Sequence, residues 1–334
     1  MTHKLNIAIL GGGNSSEANI SIRSTSQIAG WLDPDKYNAF KIWVKKTEWS
    51  LEHPQFGFLP VDKNDFSVII NNQKIHFDCA VIAIHGDPGE NGILQAYFEM
   101  LNIPYTTGSV MNSSVTFNKY FCKELVRETG VLLAKGILVH RHQNIDQEYI
   151  IKTLGLPLFV KPNESGSSYG VSKVKKADDL KIAMEKAFSE NNTILIEEFI
   201  PGREFSCGLF KNITGQITLP VTEIIPETEF FDYEAKYQNK SKEITPAPIS
   251  ESLSQAIQLF TSKIYDRLQC QGVVRVDYIV NDKNQIYFLE INTVPGMSEA
   301  SIVPQQVRAI GLDMRQFFTL IIEDAIERKK RNKL

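Results

Sequence analysis

The segment from Gln271 to Asn292 reads QGVVRVDYIVNDKNQIYFLEIN and carries the clearest structural pattern of the sequence. Two runs that alternate apolar and polar residues flank a polar turn centred near residues 283 and 284, and this pattern predicts a β-hairpin. With the turn at that position, Asp277 lies opposite Glu290 on the neighbouring strand. The sequence therefore predicts two carboxylates side by side in a sheet.

Alternation of side chains assigns the hairpin residues to two faces. One face carries Arg275, Asp277, Glu290 and Asn292, and the other carries Val274, Val276, Leu289 and Ile291. Opposed carboxylates repel each other unless a hard cation lies between them, and Asn292 adds a neutral oxygen ligand. Mg²⁺ is commonly bound by a few such oxygens together with substrate phosphates. A solvated hairpin in a slightly different register is the alternative that needs no metal.

A tight turn follows the hairpin in the segment NTVPGMSEAS, residues 292–301. Pro295 and Gly296 force the turn and expose backbone N–H groups close to the predicted metal site. Together with Arg275, these groups would hold a carboxylate or a developing oxyanion. A plain connection between a strand and a helix is the alternative.

The composition is that of a globular protein without a strong charge bias. The chain has 334 residues, 43% apolar and 22% charged, which is long enough for two or three packed units. A formal net charge of -3 and a pI near 6.1 argue against nucleic acid or an anionic membrane as the main partner. The four cysteines lack metal-ligand spacing, and the N-terminal apolar run is too short for a signal peptide or a spanning helix. We therefore expect a soluble cytoplasmic protein with reduced thiols.

Strands and helices alternate in the first part of the chain, which predicts an α/β layer with a parallel sheet. A strand from Leu5 to Leu10 leads through three glycines into a helix that begins at about Ser15. Further along, the polar segment from Pro226 to Pro248 has no periodicity and is predicted to be a lid loop. We expect domain limits at residues 1–105, 106–195 and 196–334.

Two glycine-rich segments are candidates for ligand binding. Lys161 leaves a strand and precedes the GSS loop at 166–168, where backbone and hydroxyl donors would approach phosphates closely. This loop is not a Walker A motif, and a flexible hairpin loop is the alternative. At the N-terminus, the GGG run at 11–13 precedes Glu17, which either caps a helix or receives a substrate ammonium. The glycine spacing fails the GxGxxG rule, which argues against a dinucleotide-dependent oxidoreductase.

Six motifs occur in a distinctive order between residues 11 and 304. They are GGGNSSEANIS, HGDPGENG, VKPNESGSSYGV, FDYEAKY, RVD and LEINTVPGMSEASIVP. As a set they resemble the D-alanine:D-alanine ligase family, within the ATP-grasp superfamily. Generic ATP-grasp ligases share the metal strands but not the HG..GE and EAKY elements. The resemblance implies an α/β, three-domain ATP-grasp architecture, with ATP held between the central and C-terminal domains.

On the nucleotide side, the resemblance implies ATP and two Mg²⁺ ions, for which Mn²⁺ would substitute. The implied ATP-binding positions are Lys119 and Lys161 at the phosphates, Glu197 at the adenine amino group, Glu204 at the ribose, Phe199 and Ile200 at the base, and additionally Ser168 and Lys236. The implied metal ligands are Asp277, Glu290 and Asn292, which agrees with the hairpin geometry.

On the substrate side, the resemblance implies contacts to two amino acids. The implied positions are Glu17 with His85 at the ammonium of the first D-alanine, Ser167 and Tyr237 as links between Glu17 and the closed lid, Arg275 and Gly296 at the oxyanion, and Ser301 at the carboxylate of the second D-alanine. A lone histidine in such a turn is usually structural, which is the alternative for His85.

The implied reaction is ligation of two D-alanine molecules for peptidoglycan precursor synthesis, by a homodimer. ATP would phosphorylate the first D-alanine to an acyl phosphate, and the amine of the second would attack the acyl carbon. Because acyl phosphates hydrolyse readily, the lid would exclude water. The alternatives are the same fold with D-lactate or D-serine as acceptor, another ATP-grasp amide ligase, and a noncatalytic nucleotide- or peptide-binding module.

The chain departs from the family pattern at four positions. These are Asn91 for a common Asp, Ser165 for a frequent Glu, Phe231 for a frequent Tyr and Ile302 for a frequent Leu. The first three are expected to be tolerated, whereas Ile302 would alter the pocket of the second amino acid. Tyr237 favours an amine acceptor, because related D-alanyl-D-lactate ligases often carry His there.

Overall fold

A computed structural model describes residues 4–166, 169–226 and 241–331. Five positions named from the sequence lie outside these ranges, as does most of the predicted lid: Ser167, Ser168, Phe231, Lys236 and Tyr237. The described residues form three sheets of four or more strands, with helices packed against them. The α/β class predicted from the sequence is confirmed.

The N-terminal part is built on a five-stranded sheet with an adjoining hairpin. The strands are β1 (Leu5–Gly12), β2 (Tyr37–Lys45), β3 (Glu48–His53), β4 (Gly57–Pro60), β5 (Ser67–Ile70), β6 (Gln73–His76) and β7 (Cys79–Ile82). The sheet order is β4-β3-β2-β1-β7, and β1 pairs in parallel with β2 and β7, as predicted. Strands β3 and β4 add an antiparallel edge, and β5 pairs with β6 separately.

Two helices flank this sheet, α1 (Ala18–Trp31) and α2 (Ile93–Met100). Helix α1 begins at Ala18 and not at about Ser15, because Ser15 belongs to a preceding turn. The Ser15 hydroxyl donates to the carbonyl oxygen of His85 at 2.9 Å and accepts from the Glu17 N–H at 3.2 Å. The turn therefore joins the start of α1 to the segment that follows β7.

The central part is a four-stranded antiparallel sheet with helices around it. Its elements are α3 (Val110–Phe117), α4 (Lys119–Val126), β8 (Leu132–Leu133), β9 (Gly136–His140), α5 (Gln147–Leu154), β10 (Leu158–Pro162), β11 (Ser172–Val174), α6 (Leu180–Glu190) and β12 (Thr193–Glu198). The order is β11-β10-β12-β9, and β8 belongs to another sheet. Strand β12 continues through residue 195, where a domain limit was expected; the domain limits stay predictions.

In the C-terminal part, the described residues form a six-stranded sheet with three helices. Its further elements are β13 (Arg203–Asn212), β14 (Gly215–Pro226), β15 (Ser241–Ile244), α7 (Glu251–Arg267), β16 (Val273–Val280), β17 (Ile286–Asn292), α8 (Ile302–Ala309) and α9 (Met314–Arg331). The order is β15-β14-β13-β16-β17-β8. The hairpin predicted from the sequence is formed by β16 and β17, with Asp277 opposite Glu290 and Arg275 opposite Asn292.

One facing prediction in this hairpin is wrong. The register shifts after Asp277, so that Tyr278 pairs with Phe288 and Leu289 becomes the extra residue of a β-bulge. Phe288 is therefore buried in the core beneath the sheet, whereas Leu289 lines a cavity beside Glu290. Strict alternation of faces does not hold across a bulge, and nothing in the apolar pattern marked its position.

Part of the segment predicted to be a lid has regular structure. Ser241–Ile244 forms the edge strand β15, which pairs antiparallel with β14 from Glu223 to Pro226. Backbone pairing with an existing sheet edge imposes this strand, because the polar sequence SKEI has no apolar face of its own. The structure describes only the two ends of the predicted lid, at residue 226 and at residues 241–248.

Helix α9 lies in a core between the first and third sheets. Phe317 packs against Phe210 of β13 with ring centroids 5.0 Å apart, and Phe318 stacks on Trp31 of α1 at 6.0 Å. The four cysteines are buried and unpaired, and burial raises the pKa of each thiol: Cys79, Cys122, Cys207 and Cys270. None of the helices in the described part of the chain is long and apolar enough to cross a membrane.

Candidate active site

A cavity of about 370 Å³ lies between the four-stranded and six-stranded sheets. All described residues that the sequence linked to ATP line it: Lys119, Lys161, Glu197, Phe199, Ile200 and Glu204. The sheet register explains part of this convergence. Phe159 pairs with Glu197, so Lys161, two residues further along β10, shares their face. Val160 and Ile196 point the other way into the core.

Glu197 is the charged centre of this cavity. Its two carboxylate oxygens accept hydrogen bonds from Lys123 and Lys161, and all three side chains are buried. Burial opposes the charged form of Glu197, but the two lysines outweigh it and lower the pKa of the carboxyl. Burial lowers the pKa of Lys123 to about 8, although Glu197 opposes that shift.

The start of helix α4 is fixed to the loop that follows Lys161. The Asn163 side chain accepts from the Tyr120 N–H at 3.0 Å, and the Asn118 side chain caps the helix. Lys119 Nζ donates to the carbonyl oxygen of Ser165 at 2.5 Å. The helix and the loop therefore form one wall, from which Lys119 reaches the cavity.

A second cavity of about 430 Å³ lies where the N-terminal sheet meets the third sheet. All described residues that the sequence linked to the two amino acids line it: Glu17, His85, Arg275, Gly296 and Ser301. Ser301 Oγ lies 2.7 Å from the hydroxyl of Ser298 and accepts from its N–H at 3.1 Å. A Cβ atom on Gly296 would lie 3.0 Å from the same Oγ, so Gly296 allows this turn to close on Ser301.

Glu17 is buried at the boundary between the two cavities. A Cβ atom on Gly166 would lie 2.1 Å from Glu17 Oε2, and one on Gly86 would lie 3.2 Å from it. The glycine-rich loop thus approaches the Glu17 carboxylate with its backbone. Ser167, the predicted partner of Glu17, follows Gly166 and lies outside the described residues.

His85 is a neutral hydrogen-bonding group in this setting. Its Nε2 lies 3.3 Å from Ser24 Oγ, and its backbone N–H donates to Ser21 Oγ at 3.0 Å. Burial lowers the pKa of His85 to about 4, and nearby Arg275 acts in the same direction. His85 therefore makes structural hydrogen bonds and also lines the second cavity.

Arg275 and Asp277 form a two-pronged ion pair. Arg275 donates to the two oxygens of Asp277 at 2.9 and 2.7 Å. Ser206 Oγ and Asn292 Nδ2 donate to the same carboxylate at 2.6 and 3.1 Å. The carboxylate is buried and satisfied by these donors, while Arg275 still borders the second cavity.

Two of the three predicted metal ligands, Glu290 and Asn292, lie where the cavities adjoin, and the third, Asp277, is buried beside Asn292. A narrow passage between the cavities is lined by Lys119, Gly166, Glu290 and Asn292. Asn292 donates to Asp277 through its side-chain nitrogen, so the side-chain oxygen of Asn292 takes no part in that hydrogen bond. In the described part of the chain, Asp, Glu, His and Cys side chains alone form no cluster able to hold an ion. The donor chemistry fits Mg²⁺ with phosphate oxygens completing the shell.

Comparisons with known proteins agree with this geometry. Two family models match the chain, "D-ala D-ala ligase N-terminus" over residues 6–109 and "D-ala D-ala ligase C-terminus" over residues 125–323. A D-alanine–D-alanine ligase of Azobacteroides pseudotrichonymphae is 47% identical, covering 95% of this chain and 99% of the relative. The chain belongs to the D-alanine–D-alanine ligase family.

Solved structures of the family extend the match to three dimensions. The VanG D-Ala:D-Ser ligase of Enterococcus faecalis superposes with a TM-score of 0.85 at 29% identity, covering 97% of this chain and 100% of that one. A D-alanine–D-alanine ligase of Bacillus anthracis complexed with ATP gives 0.78 at 27% identity, covering 98% and 99%. The ATP-grasp fold predicted from the motifs is confirmed.

Two site residues were missed by the family motifs as read from the sequence. Lys123 lies four positions after Lys119, on the same face of α4, and that spacing was the available signal. Glu90 stands inside the HGDPGENG motif and is buried. Its oxygens accept from the N–H groups of Gly86 at 2.7 Å and Val294 at 3.3 Å, which ties the motif to the turn after β17.

The three departures from the family pattern that lie within the described residues are accommodated locally. Asn91 donates to Asp87 Oδ1 at 2.6 Å and accepts from the Ile93 N–H at 3.3 Å. Ser165 meets Lys119 through its backbone, so its side chain is not needed for that contact. Ile302 is buried and lines the second cavity, where the sequence placed its effect.

Proposed function

We propose that this chain uses ATP to join two D-alanine molecules into D-alanyl-D-alanine, which serves peptidoglycan precursor synthesis. The observation that carries the proposal is the passage between the two cavities. A nucleotide in the first cavity and an amino acid in the second would bring the terminal phosphate beside a carboxylate. Phosphorylation of that carboxylate turns a poor electrophile into an acyl phosphate.

The residues of the chain have separate tasks in the first step. Glu17 would take the ammonium of the first D-alanine and so present its carboxylate to the passage. Lys119 and Lys161 would hold the ATP phosphates, and Phe199 with Ile200 the base. Mg²⁺ or Mn²⁺, held by Glu290, Asn292 and Asp277 as two ions, would neutralise charge on the transferring phosphoryl group. The assignment of these metal ions is part of the proposal.

In the second step the neutral amine of the second D-alanine attacks the acyl carbon, and the tetrahedral intermediate breaks its C–O bond to release inorganic phosphate while the nitrogen loses a proton to solvent. Ser301 would bind the carboxylate of this acceptor, and the Gly296 N–H with Arg275 would stabilise the oxyanion. Each such donor is typically worth about 3–4 kcal/mol in the transition state. Asp277 supports this role, because the paired carboxylate fixes the direction of the Arg275 guanidinium.

The test is to incubate the purified protein with MgATP and D-alanine, to follow ADP release and to identify the product by mass spectrometry. We expect ADP together with a D-alanyl-D-alanine mass, and neither with L-alanine. A folded protein that binds ATP but makes no dipeptide would overturn the D-alanine assignment. Repeating the assay with EDTA and then with added Mg²⁺ or Mn²⁺ tests the metal requirement.

D-Serine is the second candidate acceptor. The similarity to a D-Ala:D-Ser ligase is the observation that favours it. Competition between D-alanine, D-serine and D-lactate in one reaction would rank the acceptors by product mass. A predominance of D-alanyl-D-serine or of the depsipeptide would replace the proposed product.

We further propose that the protein is a homodimer of three-domain subunits that works in the cytoplasm. Light scattering coupled to size exclusion measures the dimer directly, and a mass of one chain would contradict it. Limited proteolysis tests the domain limits at residues 105 and 195. Cell fractionation tests the location.

A further inference from the structure

A buried chain of ion pairs lies at the floor of the nucleotide cavity. Glu197 on β12 accepts from Lys123 through one oxygen and from Lys161 through the other. The exposed fractions of the three side chains are 4%, 7% and 10%, so water screens these charges little. One carboxylate therefore serves two ammonium groups, and one positive charge is left in excess.

The two lysines reach Glu197 from different elements. Lys161 stands on β10 in the same sheet as Glu197, and Lys123 approaches from helix α4. Both border the cavity, but only Lys161 lies on the strand that leads into the loop containing Gly166. Lys161 is accordingly the lysine placed to turn towards phosphates.

Turning Lys161 towards a phosphate has a cost that depends on Lys123. A buried carboxylate that loses its last cation is strongly destabilised. With Lys123 in place, Glu197 keeps a partner while Lys161 leaves. Without Lys123, Lys161 would be the single counter-ion of Glu197 among the contacts described and would be held there.

We propose that Lys123 is a positioning residue, which keeps Glu197 neutralised so that Lys161 can exchange this carboxylate for nucleotide phosphates. The inference rests on the proposed function for the identity of the nucleotide. Lys123 itself touches no phosphate in this scheme. Its effect on ATP binding runs through Glu197 and Lys161.

The first test measures ATP and ADP binding to the full chain by isothermal titration calorimetry, without D-alanine. Lys123→Met removes the charge and keeps a long side chain. We expect it to weaken nucleotide binding about ten- to a hundredfold, a usual range for coupling between sites. The KM for D-alanine should stay unchanged in the steady-state assay. Unchanged nucleotide affinity would overturn the proposal.

The decisive variant combines Lys123→Met with Glu197→Gln. The double change removes one positive and one negative charge and releases Lys161, while glutamine keeps an oxygen acceptor towards adenine. We expect nucleotide affinity to recover most of the loss seen with Lys123→Met alone. A merely structural role for Lys123 predicts the opposite, with the double variant as weak as the single one or weaker.

Two further variants keep the outcome interpretable. Lys123→Arg retains the charge and should bind nucleotide nearly as well as the wild type does. This variant tests the proposal even if Lys123→Met does not fold. Weak nucleotide binding by a folded Lys123→Arg variant would contradict the proposal. Lys329→Met breaks an ion pair with Glu99, neither of which lines the cavity, and is the matched control. If the folded wild-type protein binds neither ATP nor ADP, the proposed function itself fails, which is a distinct result.

Discussion

At the scale of single residues, the pair of Arg275 and Asp277 is the most constrained contact of the site. Arg275 presents two donors of a planar group to two oxygens, and Ser206 and Asn292 occupy the same carboxylate. Lysine has the same charge but a single point of contact. The geometry of the side chain is therefore separable from its charge by mutation.

Arg275→Lys is expected to lower kcat about a hundredfold, because the proposed oxyanion donor moves out of place. ADP release under saturating ATP and D-alanine measures the effect. Arg267→Lys is the matched control, since Arg267 pairs with Glu128 at the surface, 2.7 Å away. Equal kcat in wild type and Arg275→Lys would mean that the guanidinium geometry is not used.

His85 gives the fold a sensitivity to acid. The pKa of His85 is lowered from 6.5 to about 4. As pH falls below 6.5, His85 becomes protonated in the unfolded chain but stays neutral in the folded chain. The free energy of unfolding therefore falls between pH 6.5 and pH 4. At pH 5 the loss is about 2 kcal/mol. Urea unfolding at pH 7 and pH 5 should show a smaller difference for His85→Gln than for wild type; equal differences would contradict this.

At the scale of elements, the glycine-rich loop and helix α1 meet through a backbone contact. Gly166 has no room for a side chain, because its Cβ would lie 2.1 Å from Glu17 Oε2. The loop that follows strand β10 therefore sits directly on the carboxylate at the start of α1. Any side chain at this point moves the loop or Glu17.

Gly166→Ala is expected to lower kcat/KM for D-alanine about tenfold or more, because it displaces Glu17 by an amount that reacting groups do not tolerate. Steady-state kinetics with D-alanine as the varied substrate measures it. Gly30→Ala, in the exposed last turn of α1 where a Cβ meets nothing within 4 Å, should leave kinetics unchanged. A Gly166→Ala enzyme with wild-type kinetics would exclude the close contact.

The sequence predicts some of these structural elements and misses others. The hairpin register followed from alternation about one polar turn, because a period of two leaves few alternatives. The bulge at Leu289 and the strand β15 did not follow, because both depend on pairing with a neighbouring strand. Lys123 was missed for a similar reason: its ion pair with Glu197 joins residues 74 apart in the chain. The family motifs supplied the site residues, which composition and periodicity alone left open.

At the scale of the whole molecule, helix α9 connects the N-terminal and third sheets, which together line the second cavity. Its buried face contacts the first sheet, helix α1 and strand β13 in one continuous core. The N-terminal sheet supplies Glu17 and His85 to the second cavity, and the third sheet supplies Arg275. The relative position of these groups depends on the packing of α9.

Phe317→Ala is expected to destabilise the protein by about 3–5 kcal/mol, the usual cost of a large cavity in a core. Urea titration measures the free energy of unfolding, and steady-state kinetics measures the KM for D-alanine, which reports the geometry of the second cavity. Phe58→Ala, at a side chain that is 67% exposed, is the control and should change stability little. A loss confined to stability, with KM unchanged in the folded fraction, would mean that α9 does not set the geometry of the cavity.

The four buried cysteines can report local opening of the protein core. Cys79 lies in the core that α9 closes, and Cys122, Cys207 and Cys270 lie in the core beneath the third sheet. A maleimide reagent meets none of them until the surrounding layer opens. Mass spectrometry after timed labelling would therefore count openings of each core separately, without any dye or engineered tag. Bound ATP should slow the alkylation of Cys122, which neighbours Lys123 on the helix that borders the nucleotide.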